Sequence, residues 1–121
     1  FLPLMKRMRD LCKENSISLH SIDFRDHLSG GLQNLRFSEK VWESRLIQTS
    51  GFYTNRLRPS QMLKLFDEAG FDTQIIFEDR WDIIPISRNK MAEIFRNLPT
   101  DDFLISGWEV ILRPKPICKE T

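Results

Sequence analysis

The chain has 121 residues, a length that fits one domain and is short for two. Its 40% of apolar and 29% of charged residues exclude a disordered chain, and no apolar run approaches the ~20 residues of a membrane-spanning helix. A formal net charge of +1 argues against binding to nucleic acid or to an acidic membrane through charge, so we predict one domain over residues 1–121 with neither as a partner.

The two cysteines, Cys12 and Cys118, lie near opposite ends of the chain and form no C-x-x-C pair. Because no signal peptide is visible, we expect reduced thiols in a cytoplasmic protein. The chain begins at Phe1 instead of methionine. We therefore expect either a processed protein or a piece of a longer one.

The first predicted elements are a helix and a strand. An apolar stripe with helical spacing covers residues 1–12. Residues 16–24 predict a strand whose apolar side chains change face near residues 20–21. That change of phase predicts a bulge or a strand end there.

Two further helices and a second strand follow. A helix over residues 38–48 begins at the capping residue Ser38. The next helix is predicted to begin at the cap Ser60 and to end at Gly70, a residue suited to a left-handed C-terminal cap. Alternating apolar and polar residues then predict a strand over residues 71–78.

The last part of the chain predicts a strand extension at residues 81–84, a helix over 87–98 and a short turn over 100–103. The final strand covers residues 105–113, and the tail to Thr121 is predicted to be loose. Three strands are few for a free-standing α/β sheet, whose parallel strands are normally covered on both faces. We therefore expect that part of a sheet is missing.

A polar cluster of His20, Asp23, Asp26 and His27 is the first candidate site. Histidine titrates near neutrality, so the cluster can supply a general base. Imidazole and carboxylate also suit zinc or iron, but His20 and Asp23 point to opposite faces of a regular strand, so we expect no metal. The alternative is a solvated loop held by structural hydrogen bonds.

A second group of candidates flanks the polar loop before the central helix. Trp42 and Tyr53 can line a substrate pocket, and Asn55, Arg56 and Arg58 can orient an anion or a carbonyl. The alternative assigns the aromatic rings to the core and the arginines to loop anchoring through backbone hydrogen bonds. Nucleophilic catalysis has little support, since no G-x-S-x-G elbow or Cys-His motif occurs.

The order of motifs resembles the C-terminal half of a class I S-adenosylmethionine-dependent methyltransferase of the type 11 kind. Residues 9–15 (RDLCKEN) are similar to the family's Arg-x-Leu-x-Pro-Gly-Gly turn, with only the Arg and Leu matching. Residues 18–27 (SLHSIDFRDH) look like the fifth strand and its following loop. Residues 53–57 (YTNRL) with 68–71 (EAGF) resemble the lead into the sixth strand, and 105–113 (ISGWEVILR) resemble the antiparallel seventh.

The resemblance implies a partial Rossmann-like methyltransferase sheet with flanking helices, in which the last strand inserts between the fifth and sixth. In the family, a glycine-rich loop and an acidic residue of the first half hold S-adenosylmethionine. Neither is present here, so we assign no cofactor ligand, and the missing N-terminal half is expected to be a partner of this chain. Methyl transfer of this kind needs no metal, and we assign no metal ligand. This fragment is expected to be inactive and to bind no cofactor alone.

In the family, the segment after the fifth strand tends to cover the substrate. The implied chemistry is in-line methyl transfer to a small-molecule acceptor, which the protein positions and can deprotonate. The implied catalytic residues are His20, Asp23 and His27. The implied substrate-binding residues are Trp42, Tyr53, Asn55 and Arg56.

The alternative function belongs to a different class of protein. A stand-alone, non-catalytic α/β interaction module would keep this half-fold and bind a partner protein. It could also form a homodimer that covers the exposed edge of the sheet.

Overall fold

The computed structural model of the chain describes residues 2–13 and 15–116. Cys118 and the tail predicted to be loose therefore lie outside the described residues, whereas Cys12 is a partly buried free thiol. The helices are α1 (Leu2–Leu11), α2 (Glu39–Trp42), α3 (Arg45–Gln48), α4 (Pro59–Glu68) and α5 (Asp101–Leu104), and the strands are β1 (Ser18–Asp23), β2 (Phe71–Arg80) and β3 (Ile105–Pro114). Short 3₁₀ turns cover Gln33–Arg36, Arg88–Lys90 and Glu93–Phe95.

The three strands form one antiparallel sheet in the order β1-β3-β2. The last strand pairs with both of the others, so that His20 lies opposite Val110 and Thr73 lies opposite Leu112. The predicted insertion of an antiparallel last strand between the two earlier ones is confirmed. The fold is therefore a mixed α/β arrangement of a three-stranded antiparallel sheet with flanking helices.

Helices α1 and α4 cover one face of this sheet. The apolar stripe of α4 buries Met62, Phe66 and Ala69, as its helical spacing predicts. Every second side chain of β3 points toward the same layer, because successive residues of a strand face opposite sides. The buried residues of this first core are Met5, Phe24, Met62, Phe66, Ala69, Phe71, Ile105, Trp108, Val110 and Leu112.

A second hydrophobic cluster lies under the irregular segments of the chain. Met91 and Phe95 belong to it and lie on the apolar face of the helix predicted over 87–98. Its other members come from loops, a 3₁₀ turn and α5, where no apolar periodicity marks a buried face, and they were not predicted. The buried members are Leu32, Leu35, Ile86, Met91, Phe95 and Phe103.

Two predicted helices differ from the structure, one in its extent and one in its existence. The helix over 38–48 is interrupted at Ser44, which is extended and begins a new helix. The helix over 87–98 is absent, and two 3₁₀ turns stand in its place. Ala92 between them is extended, and its N–H donates to the Leu35 carbonyl at 2.7 Å. A tertiary hydrogen bond thus replaces the helical one.

Predictions at strand ends and caps also need correction. The bulge expected near residues 20–21 is absent, since the β1–β3 register is continuous, and an irregularity occurs instead in β2 between Ile75 and Phe77. Residues 81–84 do not extend that strand. Helix α4 begins at Pro59, one residue before the predicted cap, and the Ser60 side chain instead donates to Asp102.

The predicted caps at the other helix ends agree with the structure. The Ser38 hydroxyl accepts from the Val41 N–H at 3.3 Å. Gly70 follows α4 with φ +95°, a left-handed conformation that glycine adopts at little cost. The Arg9 side chain donates to the Gly70 carbonyl at 3.0 Å, which ties α1 to the turn between α4 and β2.

The second face of the sheet carries exposed apolar side chains. Leu19 of β1 is 65% exposed and Phe77 of β2 is 58% exposed. Both lie on the side opposite to α1 and α4, since they pair with Ile111 and Glu109 rather than with the buried residues of β3. We call this surface the open face.

Candidate functional site

The candidate site is a cavity of about 430 Å³ between α1, β1 and α4, which we call the α1–α4 cavity. It lies beside the carboxyl end of β1, where the chain leaves the sheet and enters a polar loop. Three predicted site residues, His20, Asp23 and Asn55, line it. The remaining lining residues are Leu4, Met5, Met8, Ser21, Ile22, Phe24, Leu57, Met62 and Phe66.

His20 projects from the helix-covered side of β1 and is partly buried. Its Nε2 lies 3.0 Å from the Ser18 hydroxyl oxygen. The two residues are separated by one position on the same strand and therefore share a face. The contact holds the ring at the cavity wall. A side chain that accepts a proton from a bound ligand needs such a fixed position.

Asp23 is exposed, and its carboxylate is engaged by one neighbour, Arg25. The Arg25 side chain donates to both oxygens, at 3.0 and 3.1 Å, and its backbone N–H adds a bond of 2.9 Å. The side-chain hydrogen bond from Arg25 is the largest cause that lowers the pKa of Asp23. A carboxylate with a lowered pKa is a weak base, so Asp23 is a poor proton acceptor.

Asp26 is 4% exposed and closes the loop after β1. Burial alone would raise its pKa, but hydrogen bonds from the backbone of Ser29, Asn34 and Gly31 lower it. These N–H groups lie 2.9 to 3.0 Å from the Asp26 oxygens. The turn at Gly31 thus directs its N–H inward, and the loop offers no cradle for a phosphate or a cofactor. His27, in contrast, is exposed and does not line the α1–α4 cavity.

Trp42 and Tyr53 pack against each other next to a second cavity. Their rings are stacked with centroids 6.0 Å apart, and the buried Trp42 indole donates to the Thr54 carbonyl at 2.8 Å. The Tyr53 hydroxyl donates to the Glu43 carboxylate at 3.0 Å. Burial and the Glu43 carboxylate together raise the pKa of Tyr53, which keeps its phenol protonated.

Arg56 anchors the loop between α3 and α4. It is 9% exposed, has φ +32°, and donates to the carbonyls of Phe37 and Asn34 at 2.6 and 3.1 Å. Its guanidinium stacks over Trp42 at 5.2 Å and over Phe95 at 4.9 Å from the ring centroids. A positive φ in a non-glycine residue costs free energy that these contacts offset.

The second cavity, of about 270 Å³, is lined in part by Tyr53, Asn55 and Arg56. Asn55 lines both cavities, so the loop that carries it separates them. The predicted site residues therefore divide into two groups, with Asn55 common to both. Trp42 does not line the second cavity but stacks on Tyr53, which does.

Arg58 is the most buried charged side chain near the site, at 2% exposure. It donates to the Phe24 carbonyl at 2.9 Å and lies 5.4 Å from the centroid of that ring. Its Nε and Nη1 have no hydrogen-bond partner among the described residues, and burial lowers its pKa to about 10. Arg58 thus holds the residue that follows β1, and it is not among the residues that line the α1–α4 cavity.

The contribution of α1 to the cavity was not predicted. Met5 and Met8 form part of its wall, together with Met62 of α4. The sequence signal was the apolar stripe of α1, whose unbranched methionines fill irregular spaces and adapt to ligands. The stripe is only partly buried, since Leu4 on it is 61% exposed.

Within residues 2–13 and 15–116, no group of three or more His, Cys, Asp and Glu side chains could hold a metal ion. None of the helices in that part of the chain is both long and apolar enough to cross a bilayer. No protein-family model, no curated protein and no solved structure matches the chain.

Proposed function

We propose that this chain is the C-terminal, acceptor-binding part of a class I S-adenosylmethionine-dependent methyltransferase. The observation that carries the proposal is the strand order β1-β3-β2 with an antiparallel last strand in the middle. This is the arrangement that the resemblance implies for the fifth, seventh and sixth strands of that family. The Rossmann-like character of the complete sheet is part of the same proposal.

The position of the α1–α4 cavity supports the same function. It adjoins the carboxyl end of the strand that would be the fifth, and ligands of open α/β sheets bind outside the carboxyl ends of strands. His20 stands at its wall in a position to accept a proton from a bound acceptor. Asn55 can orient the acceptor from the opposite loop.

The described residues do not fit S-adenosylmethionine itself. The backbone N–H groups of the loop after β1 donate to Asp26, and the described residues contain neither a glycine-rich loop that follows a strand nor an acidic residue placed to bind a ribose. The methyl donor would have to be held by the missing N-terminal half. The role proposed for this chain is to bind and orient the acceptor and to take up its proton.

The test is an assay of the full-length native protein. An immunoblot of source cells with an antibody to this chain gives its native size, and a band of roughly twice this size would carry a cofactor-binding half. That protein is then incubated with methyl-labelled S-adenosylmethionine and a small-molecule extract. Failure both to bind the donor and to transfer its methyl group contradicts the proposal.

A second function, a partner-binding or self-associating module, is favoured by the open face and by the edge of β1. On its outer side β1 pairs with no other described strand, so its backbone can add a strand. A native band at the size of this chain, together with a dimer in solution, would favour this function.

A further inference from the structure

We infer that the α1–α4 cavity takes a neutral, largely apolar small molecule that presents one hydrogen-bonding group to His20 and Asn55. The inference rests on the proposed function, because it names the chemical class of the acceptor. It follows from the walls of the cavity, from its charges and from the position of its polar groups.

The walls of the cavity are mainly apolar. Helix α1 contributes Met5 and Met8, and α4 contributes Met62. Thioether side chains are flexible and polarisable, and they favour aromatic and other flat apolar partners. A sugar or a nucleotide would leave most of its polar groups without partners against these walls.

The charges of the cavity disfavour an ionic ligand. Among the described residues of its lining, Asp23 is the one with a carboxylate or a permanent cation, and Arg25 occupies both of its carboxylate oxygens. A carboxylate or phosphate would lose its hydration and gain no arginine or lysine partner among the described lining residues, since Arg58 is buried and does not line the cavity. A cation gains little from an exposed carboxylate that is already paired.

The polar groups of the cavity are few and lie together. His20 projects from the helix-covered face of β1 and lines the cavity together with the loop residue Asn55, whereas Ser21 pairs with Glu109 on the open face. The Asn55 side-chain oxygen accepts from the Leu57 N–H at 3.3 Å, so the amide N–H₂ of Asn55 remains available to a ligand oxygen. A hydroxyl can accept from this amide and donate to the imidazole of His20 at the same time.

The four methionines of the chain allow a direct test. Three of them, Met5, Met8 and Met62, line the cavity, whereas Met91 is buried in the second cluster. The chain is labelled at its methionine methyl groups and titrated in NMR experiments with naphthol, naphthoate and naphthylmethylammonium, three probes of matched size and different charge.

Naphthol is expected to shift the three cavity methyl resonances and to leave that of Met91 unchanged. The two charged probes are expected to bind at least about tenfold more weakly, because each must give up its hydration. Tighter binding of either charged probe overturns the inference. So does an absence of naphthol binding up to its solubility, or an equal shift at Met91.

A variant that adds a positive charge to the cavity wall sharpens the test. Met8→Lys places a cation at the half-buried cavity wall, and Leu11→Lys adds the same charge on the same helix at a residue that is 79% exposed and outside the lining. Met8→Lys should weaken naphthol binding about tenfold and strengthen naphthoate binding, while Leu11→Lys changes neither. Identical behaviour of two folded variants overturns the inference.

These outcomes are separate from those of the proposed function. Naphthol binding reports on the cavity alone, and methyl transfer by the full-length protein reports on the activity. If the protein binds naphthol but transfers no methyl group, the inference of a neutral-ligand site is supported and the proposed methyltransferase function is contradicted. If it transfers a methyl group to an ionic acceptor, the proposed function is supported and the inference is contradicted.

Discussion

His20 is the side chain on which the proposed chemistry depends. It combines a place in the cavity wall with a fixed ring, whereas Asp23 is tied to Arg25 and His27 lies outside the cavity. In the full-length protein, we expect His20→Gln to lower kcat by about 100-fold or more with little change in KM, because general base catalysis contributes 10²–10⁴-fold. The measurement is transfer of a labelled methyl group.

The comparison variant for this prediction is His27→Gln. It removes the other histidine of the chain at an exposed position. An equal loss of kcat in both variants would mean that the proton is not taken up at His20 alone. An unchanged kcat in His20→Gln would contradict the assignment of the base.

Asp26 makes the stability of the chain depend on pH. Its pKa is lowered in the folded state, so its contribution is present above the unfolded value of about 3.9 and is lost as pH falls through the folded pKa. We expect Asp26→Asn to lower the free energy of unfolding by about 1–3 kcal/mol at neutral pH and by less at an acidic pH below the folded pKa of Asp26. Urea unfolding at both pH values measures the difference.

Asp82→Asn is the control for this prediction, since Asp82 is exposed on a bend. It should change the free energy of unfolding by less than about 0.5 kcal/mol at either pH. A destabilisation by Asp26→Asn that is the same at both pH values would show that the carboxylate charge is not what holds the loop.

At the scale of elements, the turn from α4 to β2 depends on the backbone of Gly70. Its φ is +95°, and a Cβ there would lie 3.2 Å from Cγ of Arg9. We expect Gly70→Ala to lower the free energy of unfolding by about 1–2 kcal/mol, the cost of a left-handed conformation for an L-residue. Thermal or urea unfolding followed by tryptophan fluorescence provides the measurement.

Gly51→Ala is the matched control, because a Cβ at Gly51 meets nothing within 4 Å and its φ is not positive. Its free energy of unfolding should stay within about 0.5 kcal/mol of the wild-type value. Equal effects of the two substitutions would mean that the conformation of Gly70 does not limit the turn.

At the scale of the whole molecule, the open face and the outer edge of β1 are exposed together. Leu19 belongs to both, since it is 65% exposed and lies on that edge strand. We expect the isolated chain to self-associate and Leu19→Glu to be monomeric, because a charge on an edge strand prevents strand addition. Light scattering after size exclusion measures the mass.

Leu46→Glu is the control for self-association, as Leu46 is 80% exposed on α3 and lies outside the sheet. It should associate as the wild type does. A monomeric wild-type chain at high concentration would contradict the prediction and remove the support for a homodimer.

The sequence by itself determined the features that depend on neighbouring residues. The stripe of α4, the left-handed Gly70 and the alternation of β3 follow from side-chain spacing and turn chemistry, which act over a few positions. The first core was predictable in outline for the same reason. The order of the strands was obtained from the resemblance and agrees with the structure.

Only the tertiary structure decided the features that depend on distant residues. The N–H of Ala92 is drawn to Leu35, which breaks a helix that local spacing favours. The carboxylate of Asp102 accepts a hydrogen bond from the Ser60 N–H, and the methionines of α1 line the same cavity as His20. Such contacts join positions a dozen or more residues apart, and their free energies outweigh local propensities of a few tenths of a kcal/mol per residue.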